Sequence, residues 1–106
     1  MTRPGTPHTS KTVFLVNPAS GNGGTGKRWP ELAHRAAQLG LEGTTLFSER
    51  PRQLIELAEQ AAHNGAELIV SVGGDGTLNE VVNGLVRAGS AAELATIPLG
   101  TGMDFV

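Results

Sequence analysis

Apolar positions in this chain follow two alternating patterns. Short, nearly uninterrupted runs of aliphatic and β-branched residues recur at Thr12–Asn17, Gly43–Phe47, Leu68–Val72 and Leu94–Pro98. Runs of this kind are expected of strands covered on both faces of a parallel sheet. Between them the apolar residues take helical spacing. Leu32, Ala36 and Leu39 line a segment Trp29–Leu39, and Leu54, Ala58 and Ala61 line a second that reaches about His63. A third carries Leu78, Val81, Val82, Leu85 and Val86 at i, i+3, i+4, i+7 and i+8 on one face. Strand and helix therefore alternate, which predicts βαβ crossovers and a three-layer α/β fold around a mostly parallel sheet.

The punctuation agrees with this division. Pro18 stops the first strand, and Pro30 falls in the first turn of the first helix, where a missing N–H is harmless. Gly40 and Asn64-Gly65 are natural helix ends. Arg50-Pro51-Arg52 leads into the second helix, where the two arginines read either as phosphate contacts or as a solvated helix start. Met1 to Ser10 holds two prolines, a glycine and little to bury, so residues 1–11 are expected to form a disordered leader ahead of one domain at 12–106.

Chemistry gathers where the strands end. Val70-Ser71-Val72 runs into Gly73-Gly74-Asp75-Gly76, and Thr77 with Glu80 three residues later reads as a capping box opening the third helix. Strand, glycine turn and helix start place free backbone N–H groups where an anion can sit. Asp75 lies inside that turn and would repel phosphate unless a metal ion, a water or a ribose hydroxyl stood between them. Each piece also has a plainer reading: a tight βα turn, an aspartate bonding its own backbone, a glutamate that only caps. A second turn of the same kind follows the fourth strand, where Gly100-Thr101-Gly102 leads to Met103-Asp104-Phe105.

The glycine-rich run Gly21-Asn22-Gly23-Gly24-Thr25-Gly26 satisfies two patterns at once. It fits G-x-G-x-x-G after a strand, with Glu49 further on, as in dinucleotide folds. Continued to Lys27 it fits the P-loop, except that Arg28 replaces the hydroxyl residue that would hold Mg²⁺. Four glycines in six residues meet many glycine patterns by chance, so a generic phosphate-facing or mobile loop ranks first. Ser48 ends the second strand, as a ligand hydroxyl or as a turn residue. A parallel sheet sets all strand carboxyl ends along one edge, which lets the loops of Asn17, Ser48, Asp75 and Thr101 converge on a nucleotide cleft.

Bulk properties narrow the choice. The 106 residues suit one domain but are few for an enzyme enclosing two substrates. A net charge of −2 and four aromatic side chains (Phe14, Trp29, Phe47, Phe105) give no support for nucleic-acid binding. The 15 glycines are about twice the usual share and cluster at strand ends. Without cysteine there is no disulfide or thiolate metal site, which fits a reducing cytoplasm. His8, His34 and His63 are isolated and read as surface residues. No apolar run approaches the ~20 residues of a membrane span.

Together, Asn17-Pro18-Ala19-Ser20-Gly21, Gly73-Gly74-Asp75-Gly76-Thr77-Leu78-Asn79-Glu80 with Asn83-Gly84, and Pro98-Leu99-Gly100-Thr101-Gly102 with Asp104-Phe105 resemble the nucleotide-binding half of the diacylglycerol kinase catalytic domain family. That family includes bacterial lipid kinases and sphingosine kinases; its glycine-aspartate-glycine-threonine core is shared with NAD kinases and phosphofructokinases. The resemblance spans Thr12 to Val106 and implies transfer of the ATP γ-phosphoryl group to a lipid hydroxyl such as that of diacylglycerol, with Mg²⁺ offsetting phosphate charge. It implies that Asn17, Pro18, Ala19, Ser20 and Gly21 contact phosphates or ribose, and that Ser48 stands in for a hydroxyl residue that is usually threonine. It implies that Gly73, Gly74, Asp75, Gly76 and Thr77 cradle the phosphates, and that Glu80, Gly100, Thr101 and Asp104 belong to the same pocket. Asp75 would hold the metal or its waters and is, with Asp104, a candidate acid/base.

Two departures stand out: Met103 where the family usually has asparagine, and a chain that stops short of the family's β-rich second domain. A lipid acceptor and peripheral membrane contact are expected once that domain is supplied, and an unpaired sheet edge would favour homo-oligomers. The alternatives are a non-catalytic nucleotide-binding module or inactive fragment and, ranked below these, an NAD kinase-like protein.

Overall fold

The computed structural model describes residues 11–99, in which seven elements alternate: β1 (Thr12–Val16), α1 (Gly24–Gln38), β2 (Thr44–Phe47), α2 (Gln53–His63), β3 (Leu68–Gly73), α3 (Asp75–Ala88) and β4 (Glu93–Pro98). The expected leader, apart from Lys11, and the turn carrying Gly100, Thr101, Met103 and Asp104 lie outside the described residues. The four strands form one sheet in the order β2-β1-β3-β4, and every pairing is parallel. No described helix is long and apolar enough to cross a membrane.

Alternation along the strands builds two cores. Val13, Leu15 and Ile69 point to the face covered by α2 and α3, where they meet Leu54, Ala58, Ala61, Val81 and Leu85. Phe14, Val16, Val70 and Val72 point to the other face and pack on Trp29 of α1. The rings of Phe14 and Trp29 lie 5.0 Å apart, tilted by 54°. With α1 on one face and α2 and α3 on the other, the sheet is the centre of three layers, as the alternation predicts. The chain steps outward from β1 to β2, then returns past β1 to β3, so the strand order reverses between β1 and β3. In open α/β sheets the crevice outside such a reversal is where ligands bind.

The strand limits shift by single residues, and the helices depart further from expectation. Helix α1 begins at Gly24, not Trp29, so the second half of the glycine-rich run is helical and Pro30 sits in the helix interior. Thr25 and Trp29, both buried and one turn apart, anchor this segment, so packing overrides the poor propensity of glycine. Helix α3 begins at Asp75 with Gly74 as its N-cap, which makes Thr77 the third helical residue. Its side chain makes no cap bond and the predicted capping box does not form. Leu39, expected to face inward, is 87% exposed just past the end of α1. Val82 and Val86 are exposed as well, because among the described residues no element covers the side of α3 above β4, while α2 covers the other side.

Candidate functional site

The strand ends are stitched together at the reversal point. The Asn17 N–H, one residue beyond β1, donates to Val72 O of β3 at 3.2 Å, and the Ser48 N–H donates to Val16 O at 3.0 Å. Asn17, Ser48 and Gly73 therefore sit side by side along one sheet edge. Asn17 Oδ1 accepts from the Ala19 N–H at 3.1 Å, an Asx turn that curls the chain at Pro18. The Gly26 N–H then bonds Pro18 O at 3.1 Å, and a Cβ at position 26 would stand only 3.0 Å from Pro18 Cβ, so the start of α1 presses on the proline.

Beside this edge lies an open cleft of about 480 Å³, within the size range of small-molecule sites. Asn17, Pro18, Ala19, Ser48 and Glu80 line it, all from the predicted set. Glu49, Arg50, Pro51 and Arg52 complete its wall. The two arginines differ: Arg50 Nη2 is held 3.0 Å from Glu56 Oε1, whereas Arg52 has no ion pair among the described residues. Arg52 also adopts left-handed backbone geometry, φ 69°, as the N-cap of α2.

The turn Gly73–Thr77 stands next to the Asn17 segment but not in the cleft wall. Gly73 has φ 153°, and a Cβ there would collide with the side chain of Thr77. Asp75 is exposed at the first position of α3, where the leading backbone N–H groups have no side-chain cap. Thr77 is 2% exposed and its hydroxyl has no hydrogen-bond partner among the described residues, so its oxygen faces the interior of the turn, away from solvent. Among the described residues no cluster of three acidic or imidazole groups could cage a metal. Mg²⁺ rarely needs one, since it commonly takes one or two carboxylates and completes its shell with phosphate oxygens and water. A single exposed carboxylate beside the uncapped N–H groups of a helix start fits that donor set.

A residue not singled out from sequence ties these parts together. Thr25, 1% exposed, donates from Oγ1 to Leu99 O at 2.9 Å, and Ser20 Oγ lies 3.4 Å from the same carbonyl and in contact with Thr25 Oγ1. The Leu99 N–H in turn donates to Gly73 O at 2.8 Å. Thr25 occupies a variable position of a glycine pattern, so only its burial marks it.

A parallel α/β sheet with glycine turns at a strand-order reversal is an arrangement on which ligands bind at the strand carboxyl ends. Comparison with known proteins makes it specific. The pattern of the diacylglycerol kinase catalytic domain matches residues 11–106, and the chain belongs to that family. A diacylglycerol kinase of Staphylococcus aureus (strain bovine RF122 / ET3-1) is 34% identical over 92 residues, which is 87% of this chain and 29% of that protein. The crystal structure of a diacylglycerol kinase from Bacillus anthracis str. Sterne superposes with a TM-score of 0.74 at 29% identity, over 91% of this chain and 35% of that one. The chain thus spans about three-tenths of the length of the curated relatives it matches.

Proposed function

We propose that this chain is the ATP-binding half of a lipid kinase, and that phosphoryl transfer to a lipid hydroxyl such as that of diacylglycerol is completed by the remainder of the family fold. The observation that carries the reading is the convergence of Asn17, Ser48 and Gly73 on one sheet edge beside the cleft, through the Asn17–Val72 and Ser48–Val16 bonds. In this reading the phosphates lie against the Asn17–Gly21 segment and the free N–H groups that open α3, where the helix dipole favours negative charge. Asp75 holds Mg²⁺ or its waters, and Mg²⁺, when bound, neutralises charge on the transferring phosphoryl group. Ser48 Oγ and Glu80 reach the sugar or base end of the ligand, and Arg52 supplies a positive charge to the cleft wall. Gly100, Thr101 and Asp104, outside the described residues, are assigned to the same ligand by the family resemblance alone.

The reading places the protein in the cytoplasm, with any membrane contact supplied by the acceptor-binding part. NAD kinase-like chemistry is the less favoured reading, since the relatives named above are diacylglycerol kinases. A radiolabel assay separates a catalytic half from a non-catalytic module. The chain is incubated with MgATP and diacylglycerol in mixed micelles, alone and with a separately expressed acceptor domain of a family member. Label in the lipid only when both parts are present supports the proposal. MgATP binding without transfer in any combination favours the non-catalytic module.

A further inference from the structure

The peptide of Leu99 is shared by three segments far apart in sequence. Its N–H is bound by Gly73 O at 2.8 Å, at the start of the turn carrying Asp75, and its carbonyl is bound by Thr25 Oγ1 at 2.9 Å and approached by Ser20 Oγ at 3.4 Å. The two hydroxyls carry two protons between them. Thr25 spends its proton on Leu99 O, and Ser20 donates either to Thr25 or to Asn17 O at 3.0 Å. The first arrangement is a chain, Ser20 to Thr25 to Leu99, in which each bond polarises the next. In the second, Ser20 is tied back to the Asn17 turn and its contact with Thr25 carries no proton. In both, a buried hydroxyl joins the glycine-rich segment to the end of β4.

From this geometry we infer that Thr25 is a positioning residue: it locks the Asn17–Gly21 segment, the Gly73 turn and the end of β4 into one unit, so that their phosphate-facing groups hold a fixed mutual geometry. The inference rests on the nucleotide reading only for its ligand arm. A hydroxyl that merely satisfied its own burial would make the same bond without affecting anything at Gly73. The distinction is therefore whether loss of the hydroxyl is felt locally at Leu99 and by the ligand.

The test compares the intact chain with Thr25→Val, which keeps the shape and removes the O–H, and Thr25→Ser, which keeps the O–H. Amide hydrogen exchange is read at Leu99 and, as a core reference, at Val70; MgATP affinity is read by titration. Thr25→Val is expected to speed exchange at Leu99 by about tenfold more than at Val70 and to weaken MgATP binding by about tenfold, the fold-change equivalent to one hydrogen bond. Thr25→Ser restores both. Exchange at Leu99 that is unchanged, or that rises only in step with Val70, overturns the inference, as does unaltered MgATP affinity in Thr25→Val. If the intact chain binds no MgATP, the nucleotide reading fails and the exchange comparison alone judges the coupling. If Thr25→Val does not fold, Ser20→Ala takes its place, with a smaller effect of the same sign at Leu99.

Discussion

Gly73 and Thr77 touch so closely that position 73 has no room for a side chain: a Cβ there would fall on the threonine hydroxyl, and the backbone stands at φ 153°. Overpacking and a backbone region open mainly to glycine act together at one residue. Gly73→Ala is expected to lose about 3 kcal/mol of stability, judged from the usual cost of each effect. Urea unfolding measures it, and a variant as stable as the parent would show that the turn is looser than described.

Two buried threonines should respond differently to the same change. The Thr25 hydroxyl has a partner 2.9 Å away, whereas that of Thr77 has none among the described residues. Removing a satisfied buried hydroxyl and stranding its carbonyl costs about 1–3 kcal/mol, while removing an unsatisfied one is neutral or stabilising. Thermal unfolding of Thr25→Val and Thr77→Val is expected to show a loss for the first and no loss for the second.

The two arginines of the cleft wall should separate in the same way. Among the described residues Arg52 has no carboxylate partner, and it holds a left-handed conformation, which costs a non-glycine residue about 1 kcal/mol. Arg52→Gly relieves that cost but gains chain entropy when unfolded, so stability should change by less than about 1 kcal/mol. MgATP affinity should fall about threefold or more, and the difference should shrink in 1 M salt as screening removes the contribution of an exposed charge. Arg50→Ala, which breaks an exposed pair with Glu56, should affect neither quantity as strongly.

Among the described residues, strand β4 is an open edge of the sheet. The Glu93 and Leu99 N–H groups point to β3, so by alternation those of Leu94 and Thr96 point outward, and Pro98 occupies an outward position where it forfeits no bond. Exposed Val82, Val86 and Leu94 run along the same side. Unpaired backbone beside apolar surface predicts concentration-dependent self-association. In an antiparallel pairing, the alignment that sets Ala95 against its counterpart engages all the outward N–H groups of β4. Light scattering should show a weak dimer that Leu94→Lys abolishes; a monomer at every concentration contradicts this.

Much of the fold was legible because its signals are strong. Continuous runs such as Thr12–Val16 and the glycine breaks after them fix strand, turn and helix order. The errors lie where tertiary contacts outweigh local preference. Gly24 to Lys27 read as loop because glycine disfavours helix, yet buried Thr25 and Trp29 hold it helical. Thr77 read as an N-cap from its spacing to Glu80, yet the strain-tolerant Gly73-Gly74 pair lets α3 start earlier. Asn17, Pro18, Ala19, Ser48 and Glu80 do meet at one cleft, because parallel strands bring their carboxyl ends together. Thr25 stayed hidden because its partner, Leu99, is 74 residues away.

Calorimetric titration of the chain and of Asp75→Ala with MgATP, with NAD as the comparison ligand, tests the central claim most directly. Saturable MgATP binding that weakens by tenfold or more in Asp75→Ala, with no comparable affinity for NAD, is the predicted result, given the strength of charge-assisted contacts. Equal MgATP binding by both proteins, or none by either, contradicts the assignment of this edge as the ATP site.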